Sequence, residues 1–261
     1  MFRPRVIPVL LLKGKGLVKT IQFKEERYIG DPINAVRILN DHESDELVFL
    51  DISASNEERV ISAELAQQIC DEAYMPFAVG GGIKNTRQAA ILLKAGAEKI
   101  VINSSAAADP SFIRECSLEF GSQSVVVSVD AKKSLFGKYT VMTHSGSKKY
   151  SLGLEDYLRI IEDNGAGELI INSIDKDGMM TGYDIELVKK ATSAVMIPVI
   201  ACGGCGSLNH LREAYFNGGA HAVAAGSIFI YHGVRKAVLV NYPSDTELMK
   251  IFNSGDADGR I

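Results

Sequence analysis

Eight short apolar and β-branched runs recur along the chain, at residues 6–12, 47–52, 77–79, 100–103, 125–130, 169–173, 199–202 and 222–225. Between them apolar residues return at three- and four-residue spacing, as in EERVISAELAQQICDEA (57–73) and TRQAAILLKAG (86–96), with Gly near several ends. That spacing predicts amphipathic helices. Strands alternating with helices imply parallel pairing through crossovers. Eight such units in about 250 residues predict an α/β protein, a single (β/α)8 TIM barrel spanning 1–261. A doubly wound open sheet is the alternative architecture.

A repeat strengthens the barrel reading. AVGGGIKNTRQAAILLKAGAEKIVINSSA (78–106) lies over ACGGCGSLNHLREAYFNGGAHAVAAGSIF (201–229) without a gap at an offset of 123 residues. This alignment pairs Gly80 with Gly203, Gly81 with Gly204, Gly96 with Gly219, Ala97 with Ala220 and Ser104 with Ser227. The offset is close to half the chain, so the barrel is expected to consist of two half-barrels.

Composition narrows the classes. The chain has 261 residues, is 46% hydrophobic and carries a net charge of -4, with no basic block, so nucleic acid is not an expected partner. The N-terminus, MFRPRVIPVLLL, superficially suggests a signal peptide. Its apolar run is short and no small-residue cleavage site follows, so a strand is the expectation, and the cytoplasm the expected compartment. No apolar run approaches the length of a membrane span. The cysteines Cys70, Cys116, Cys202 and Cys205 suit a reducing compartment rather than a disulfide framework.

In each copy of the repeat a strand ends in a Gly-rich turn that opens a helix, and the next strand ends in a small polar loop, VINSS (101–105) or AAGSI (224–228). Glycines let backbone approach an anion, and a helix N-terminus offers unpaired N–H groups. Two anion sites facing each other across one mouth are expected, for a long ligand with two phosphates. The candidate phosphate-binding residues are Gly81, Gly82, Asn103, Ser104, Asp177, Gly178, Gly204, Gly226 and Ser227. The plain alternative is that the glycines only make tight turns. CGGC (202–205) also has the C-x-x-C redox spacing, but its twin reads VGGG, which favours a phosphate turn. The five histidines show no ligand spacing, and neither a metal site nor a cofactor is expected.

Strand C-termini face the active site in such a barrel. Asp130, closing the fifth apolar run, is the strongest candidate for general acid/base work, since a carboxylate there is costly unless solvated or partnered. Asp51, Asp175 and Asp177 are further mouth candidates that could equally be turn residues. The first strand has Leu11 where half-barrel symmetry would put a second aspartate.

These residues resemble the HisF family, the cyclase subunit of imidazole glycerol phosphate synthase. The likeness runs through GDPINAVRI (30–38), DELVFLDISAS (45–55), PFAVGGGI (76–83), FGSQSVVVSVDAK (120–132), GAGELIINSIDKDG (165–178) and GYD (182–184). The resemblance implies a barrel that takes ammonia from a HisH-type glutaminase and uses it at the mouth on a bisphosphorylated ribotide, giving imidazole glycerol phosphate and AICAR. It implies two catalytic aspartates, of which Asp130 matches one and Leu11 occupies the place of the other. The Asp-Gly after the strand-one lysine is altered to Gly14-Lys15, while Lys19 is retained. Arg5, Glu46, Lys99 and Glu168 match the ring of charges at the entrance of the ammonia passage; on charge alone they could form a purely structural salt-bridged ring.

LLLKGKGLVKT further resembles the HisF-like paralogues of acetamidino-sugar pathways, the AglZ type. That likeness implies delivery of ammonia to a separate sugar amidotransferase in surface polysaccharide synthesis. Three readings follow: an ammonia-conducting subunit, a working cyclase of histidine biosynthesis, or a phosphate-binding barrel without a partner. The segment 134–153 is read as a β-hairpin excursion with Gly137 and Gly146 at turns, either a lid or a partner surface.

Overall fold

The structure is a computed structural model that describes residues 3–233 and 235–253. Its elements run in two matching halves. The first contains β1 (Arg5–Lys13), the added strands β2 (Gly16–Ile21) and β3 (Lys24–Gly30), α1 (Pro32–Asp41), β4 (Leu47–Asp51), α2 (Ala63–Glu72), β5 (Phe77–Gly80), α3 (Thr86–Lys94), β6 (Lys99–Ile102), α4 (Ser104–Ala108) and α5 (Ser111–Phe120). The second contains β7 (Val125–Lys133), the added strands β8 (Tyr139–Thr143) and β9 (Lys148–Lys149), α6 (Leu154–Asp163), β10 (Glu168–Ser173), α7 (Ile185–Ala194), β11 (Val199–Cys202), α8 (Leu208–Phe216) and β12 (Ala222–Ala225). A two-stranded ribbon, β13 (Tyr231–His232) with β14 (Ala237–Val238), and α9 (Asp245–Asn253) follow.

The strands β1, β4, β5, β6, β7, β10, β11 and β12 pair in parallel in that order, and β12 returns to β1, closing the predicted barrel. Period-two alternation divides each strand between two cores. On β1, Ile7, Val9 and Leu11 turn inward with Val48, Ala78, Val101, Val126, Ile170 and Ile200, while Val6, Leu10 and Leu12 pack outward among the helix faces. The helices begin where short polar side chains accept a backbone N–H: Asp31, Ser62, Asn85, Asp184 and Ser207 each cap one. Helix α2 therefore starts at Ala63 rather than at Glu57, because the Ser62 hydroxyl accepts from Leu65 N at 3.2 Å and Arg59 is drawn back to Asp51.

Side-chain direction corrects the repeat alignment. Ala78 faces the barrel interior but Ala201 faces the helices, so an offset of 123 would pair inward with outward positions. Strands β5 and β11, helices α3 and α8, and their caps Asn85 and Ser207 correspond at an offset of 122. From β6 and β12 onward the offset becomes 123, because the α8–β12 turn has one residue more than the α3–β6 turn. Gly81 thus matches Gly203 and Gly82 matches Gly204, while Ser104 still matches Ser227.

The halves share a further feature. β1 folds back antiparallel onto β2, and β7 onto β8, so a hairpin rises from the C-terminal end of the first strand of each half. The second is the predicted excursion, with Gly137 and Gly146 at its turns and β7 itself as one arm. The β2–β3 hairpin has no counterpart among the predicted strands.

Candidate functional site

At the C-terminal ends of the barrel strands lies a cavity of about 1010 Å³. Leu11, Lys19, Asp51, Gly81, Gly82, Asn103, Ser104, Asp130, Asp177, Gly178, Gly204, Gly226 and Ser227 all line it. Asp175 does not. Its carboxylate accepts the Lys133 N–H at 2.7 Å and its carbonyl accepts from Gln22 Nε2 at 2.9 Å, so it pins both hairpins from outside the cavity. Asp51 lines the wall but is fully engaged: it accepts from Ser53 N, Ser53 Oγ and Ala54 N, each at 3.1 Å, and pairs with Arg59. Its role here is to shape the loop after β4.

Asp130 is the inward carboxylate at the end of a barrel strand. Asn172 Nδ2 donates to one oxygen at 2.9 Å and Asn103 Nδ2 to the other at 2.8 Å. Burial pushes its pKa up to about 6 against these two hydrogen bonds, with the nearby Asp177 charge adding to the rise. A carboxyl poised there can hold or release a proton near neutrality. Leu11 faces the same cavity from β1, paired across the ladder with Leu50, whereas Asp130 is paired with Asn172. One half of the mouth is thus floored by two leucines and the other by a carboxylate and an amide.

Asn172 carries no charge and closes an apolar run, so sequence reasoning passes over it. Its environment also accounts for a glycine. A Cβ on Gly203, whose φ is +87°, would lie 2.6 Å from Asn172 Oδ1 and 2.8 Å from Ser173 O. Gly203 is needed to seat the amide that holds Asp130.

Lys19 comes from β2, in the hairpin the apolar pattern missed. It is buried, and no carboxylate among the described residues lies within ion-pair distance of it. Burial lowers its pKa, opposed by the charge of Asp177. Its Nζ stands 2.0 Å from where a Cβ on Gly226 would be, so this glycine makes room for an ammonium beside the loop that holds Ser227. Asp177 accepts from Thr20 Oγ1 at 3.0 Å, and burial raises its pKa against Lys19 and Thr20. A cation at one Gly-rich turn, and small or polar groups around both, make two places where an anion can sit.

Cys202 and Cys205 are both held as thiols: burial raises each to about 12. The redox alternative for CGGC therefore lacks its thiolate. Among the described residues no group of three or more His, Cys, Asp or Glu is placed to hold a metal ion.

At the opposite end of the barrel, Arg5, Glu46, Lys99 and Glu168 form a closed ring. Arg5 Nη1 pairs with Glu46 and Nη2 with Glu168 at 2.6 Å, while Lys99 Nζ bridges Glu46 at 2.9 Å and Glu168 at 3.0 Å. Between ring and mouth the interior is lined by aliphatic side chains, among them the small Ala78, Ala222 and Ala224.

A family model described as a histidine biosynthesis protein matches residues 5–235. The chain is 50% identical over 253 residues, 97% of its length and 100% of the relative's, to a Leptospira borgpetersenii protein named provisionally as imidazole glycerol phosphate synthase subunit HisF. It is 45% identical to a protein named, again provisionally, subunit hisF2 in Pseudomonas aeruginosa, covering 95% of this chain and 99% of the relative. To the HisF subunit of Alkaliphilus metalliredigens it is 41% identical, covering 90% and 93%. With the closed barrel and the paired Gly-rich turns, these matches place the chain in the histidine biosynthesis protein family, as a homologue of the HisF subunit of imidazole glycerol phosphate synthase.

Proposed function

We propose that this chain is a HisF-like subunit that receives ammonia from a HisH-type glutaminase at the Arg5–Glu46–Lys99–Glu168 ring and conducts it through the barrel to the mouth. The observation that carries the reading is the contrast between the two ends. The ring is closed over an aliphatic lumen, while the mouth presents Leu11 opposite Asp130. Losing one member of an acid/base pair costs on the order of 10² to 10⁴ in rate. Cyclisation of the bisphosphorylated ribotide is accordingly impaired, and the ammonia goes to a sugar amidotransferase that makes acetamidino sugars for surface polysaccharide. The pattern LLLKGKGLVKT supports this assignment.

The second reading is a working cyclase of histidine biosynthesis, favoured by both phosphate cradles and by Asp130 with its pKa near 6. An ammonia-dependent assay on the bisphosphorylated ribotide separates the two. The wild type is expected to turn over at least a hundredfold more slowly than a cyclase with both aspartates, and Leu11→Asp to raise the rate. Leu11→Asp also places a carboxylate against Leu50 and is expected to lower stability by roughly 1–3 kcal/mol. Wild-type turnover at the level of a two-aspartate cyclase sinks the first reading. Failure to form a complex with a HisH-type glutaminase removes the ammonia-channel claim.

A further inference from the structure

The turn between β8 and β9 is not part of either Gly-rich cradle, yet it is folded against the first one. His144 N donates to Ser104 Oγ at 3.0 Å, and Ser145 Oγ donates to Ile52 O at 2.9 Å. His144, Ser145, Ser147 and Lys148 all line the cavity, as does Lys84 from the β5–α3 turn. Three successive residues take left-handed backbone: His144 at φ +52°, Ser145 at +54° and Gly146 at +79°. For the two with side chains this backbone is strained, and such strain gathers at ligand clamps. The Ser147 N–H closes the turn onto His144 O at 3.2 Å, but the N–H groups of Ser145 and Gly146 meet no acceptor among the described residues. Phe23, from the turn of the β2–β3 hairpin, stands 3.0 Å from where a Cβ on Gly146 would be, so the two hairpins meet over the mouth.

Two lysines act on this turn. Burial lowers the His144 pKa, and Lys148 and Lys84 lower it further. Acidic groups also line the cavity: Glu57 is engaged with Arg59 at 2.6 Å, Asp109 with Ser111 at 2.7 Å and Glu26 with Lys13, while Glu58 and Glu115 complete the acidic lining outside Asp51, Asp130 and Asp177.

We propose that the 143–148 turn is a third wall of the first cradle, where a phosphate monoester of the ligand is bound by Ser104, the free N–H groups of Ser145 and Gly146, and the ammonium groups of Lys84 and Lys148. This rests on the reading of the mouth as a two-phosphate site and adds a binding element that the glycine pattern does not contain. It makes the two cradles unlike: the buried Lys19, with Asp177 near it but beyond ion-pair distance, serves the second, whereas the first is walled by the 143–148 turn.

The test is inorganic phosphate binding to the full chain, followed by 31P NMR and by amide chemical shifts. The wild type is expected to bind two phosphates, with the Gly146 amide moving downfield on titration. Lys84→Met/Lys148→Met is expected to weaken one site at least tenfold, to abolish the Gly146 shift, and to leave the other site unchanged. Ser227→Ala is expected to weaken only the second site. Two unaltered sites in the double lysine variant, or a Gly146 amide that does not respond in the wild type, overturns the proposal while the two-phosphate reading stands. A wild type that binds no phosphate overturns both.

Discussion

Burial and hydrogen bonding pull the Asp130 carboxyl in opposite directions, and the balance fixes how stability depends on pH. Its folded pKa of about 6 lies above the unfolded value near 3.9, so the folded state takes up a proton more readily. Stability from this group is present below the unfolded pKa and is lost as pH rises through 6. Asp130→Asn removes the titration. The stability of the wild type relative to that variant is expected to fall by about 2 kcal/mol between pH 4 and pH 7, measured by urea unfolding. A difference that does not change with pH would mean that the carboxyl is not desolvated. The sequence marks Asp130 because an acid closing an apolar run is conspicuous. Nothing marks Asn172, which is uncharged and shows its purpose only when β10 is laid beside β7. Asp175 and Asp177 look alike in IDKDG, and only the fold separates a residue pinning two hairpins from one lining the cavity.

Elements were legible in proportion to how far they are buried on both faces. The eight barrel strands are apolar runs and appear as such in the sequence, whereas β3, KEERYIG, is mostly exposed and has no pattern to betray it. The turn before β3 places Gln22 and Phe23 in left-handed backbone with no glycine to signal a hairpin. Yet this hairpin delivers Lys19 and Thr20 to the mouth, and it is clamped there by Gln22 N donating to Asp177 O at 2.9 Å. Gly178 is the position that lets it close: a Cβ there would lie 2.1 Å from Thr20 O and 2.9 Å from Ile21 Cα, at φ +71°. Gly178→Ala is expected to lift the hairpin without unfolding the barrel. Helical circular dichroism would be kept, trypsin cleavage at Lys24 would speed up, and phosphate affinity at the second cradle would fall several-fold. Unchanged cleavage and affinity would show that Lys19 reaches the cavity without the clamp.

At the scale of the whole molecule the two ends of the barrel are separate machines joined by an aliphatic core. The ring is not stabilising merely because it is charged: taking ions out of water costs several kcal/mol each, and a buried pair often does no better than apolar residues. Removing one member is different, because it strands its partners. Lys99 bridges both Glu46 and Glu168, so Lys99→Met leaves two largely buried carboxylates sharing Arg5, whose side chain is 35% exposed. About 2 kcal/mol of stability should be lost, discounted from the fully buried case for that solvent contact. If the ring is also where the glutaminase docks, the same substitution should weaken that complex about tenfold by calorimetric titration, while Asp130→Asn, at the other end, leaves it unchanged. Glu168→Gln supplies the control for mere destabilisation, since it keeps the shape and alters only the charge balance around Lys99 and Arg5. Lost stability with undiminished glutaminase affinity in both ring variants would make the ring a structural girdle and move the ammonia entrance elsewhere.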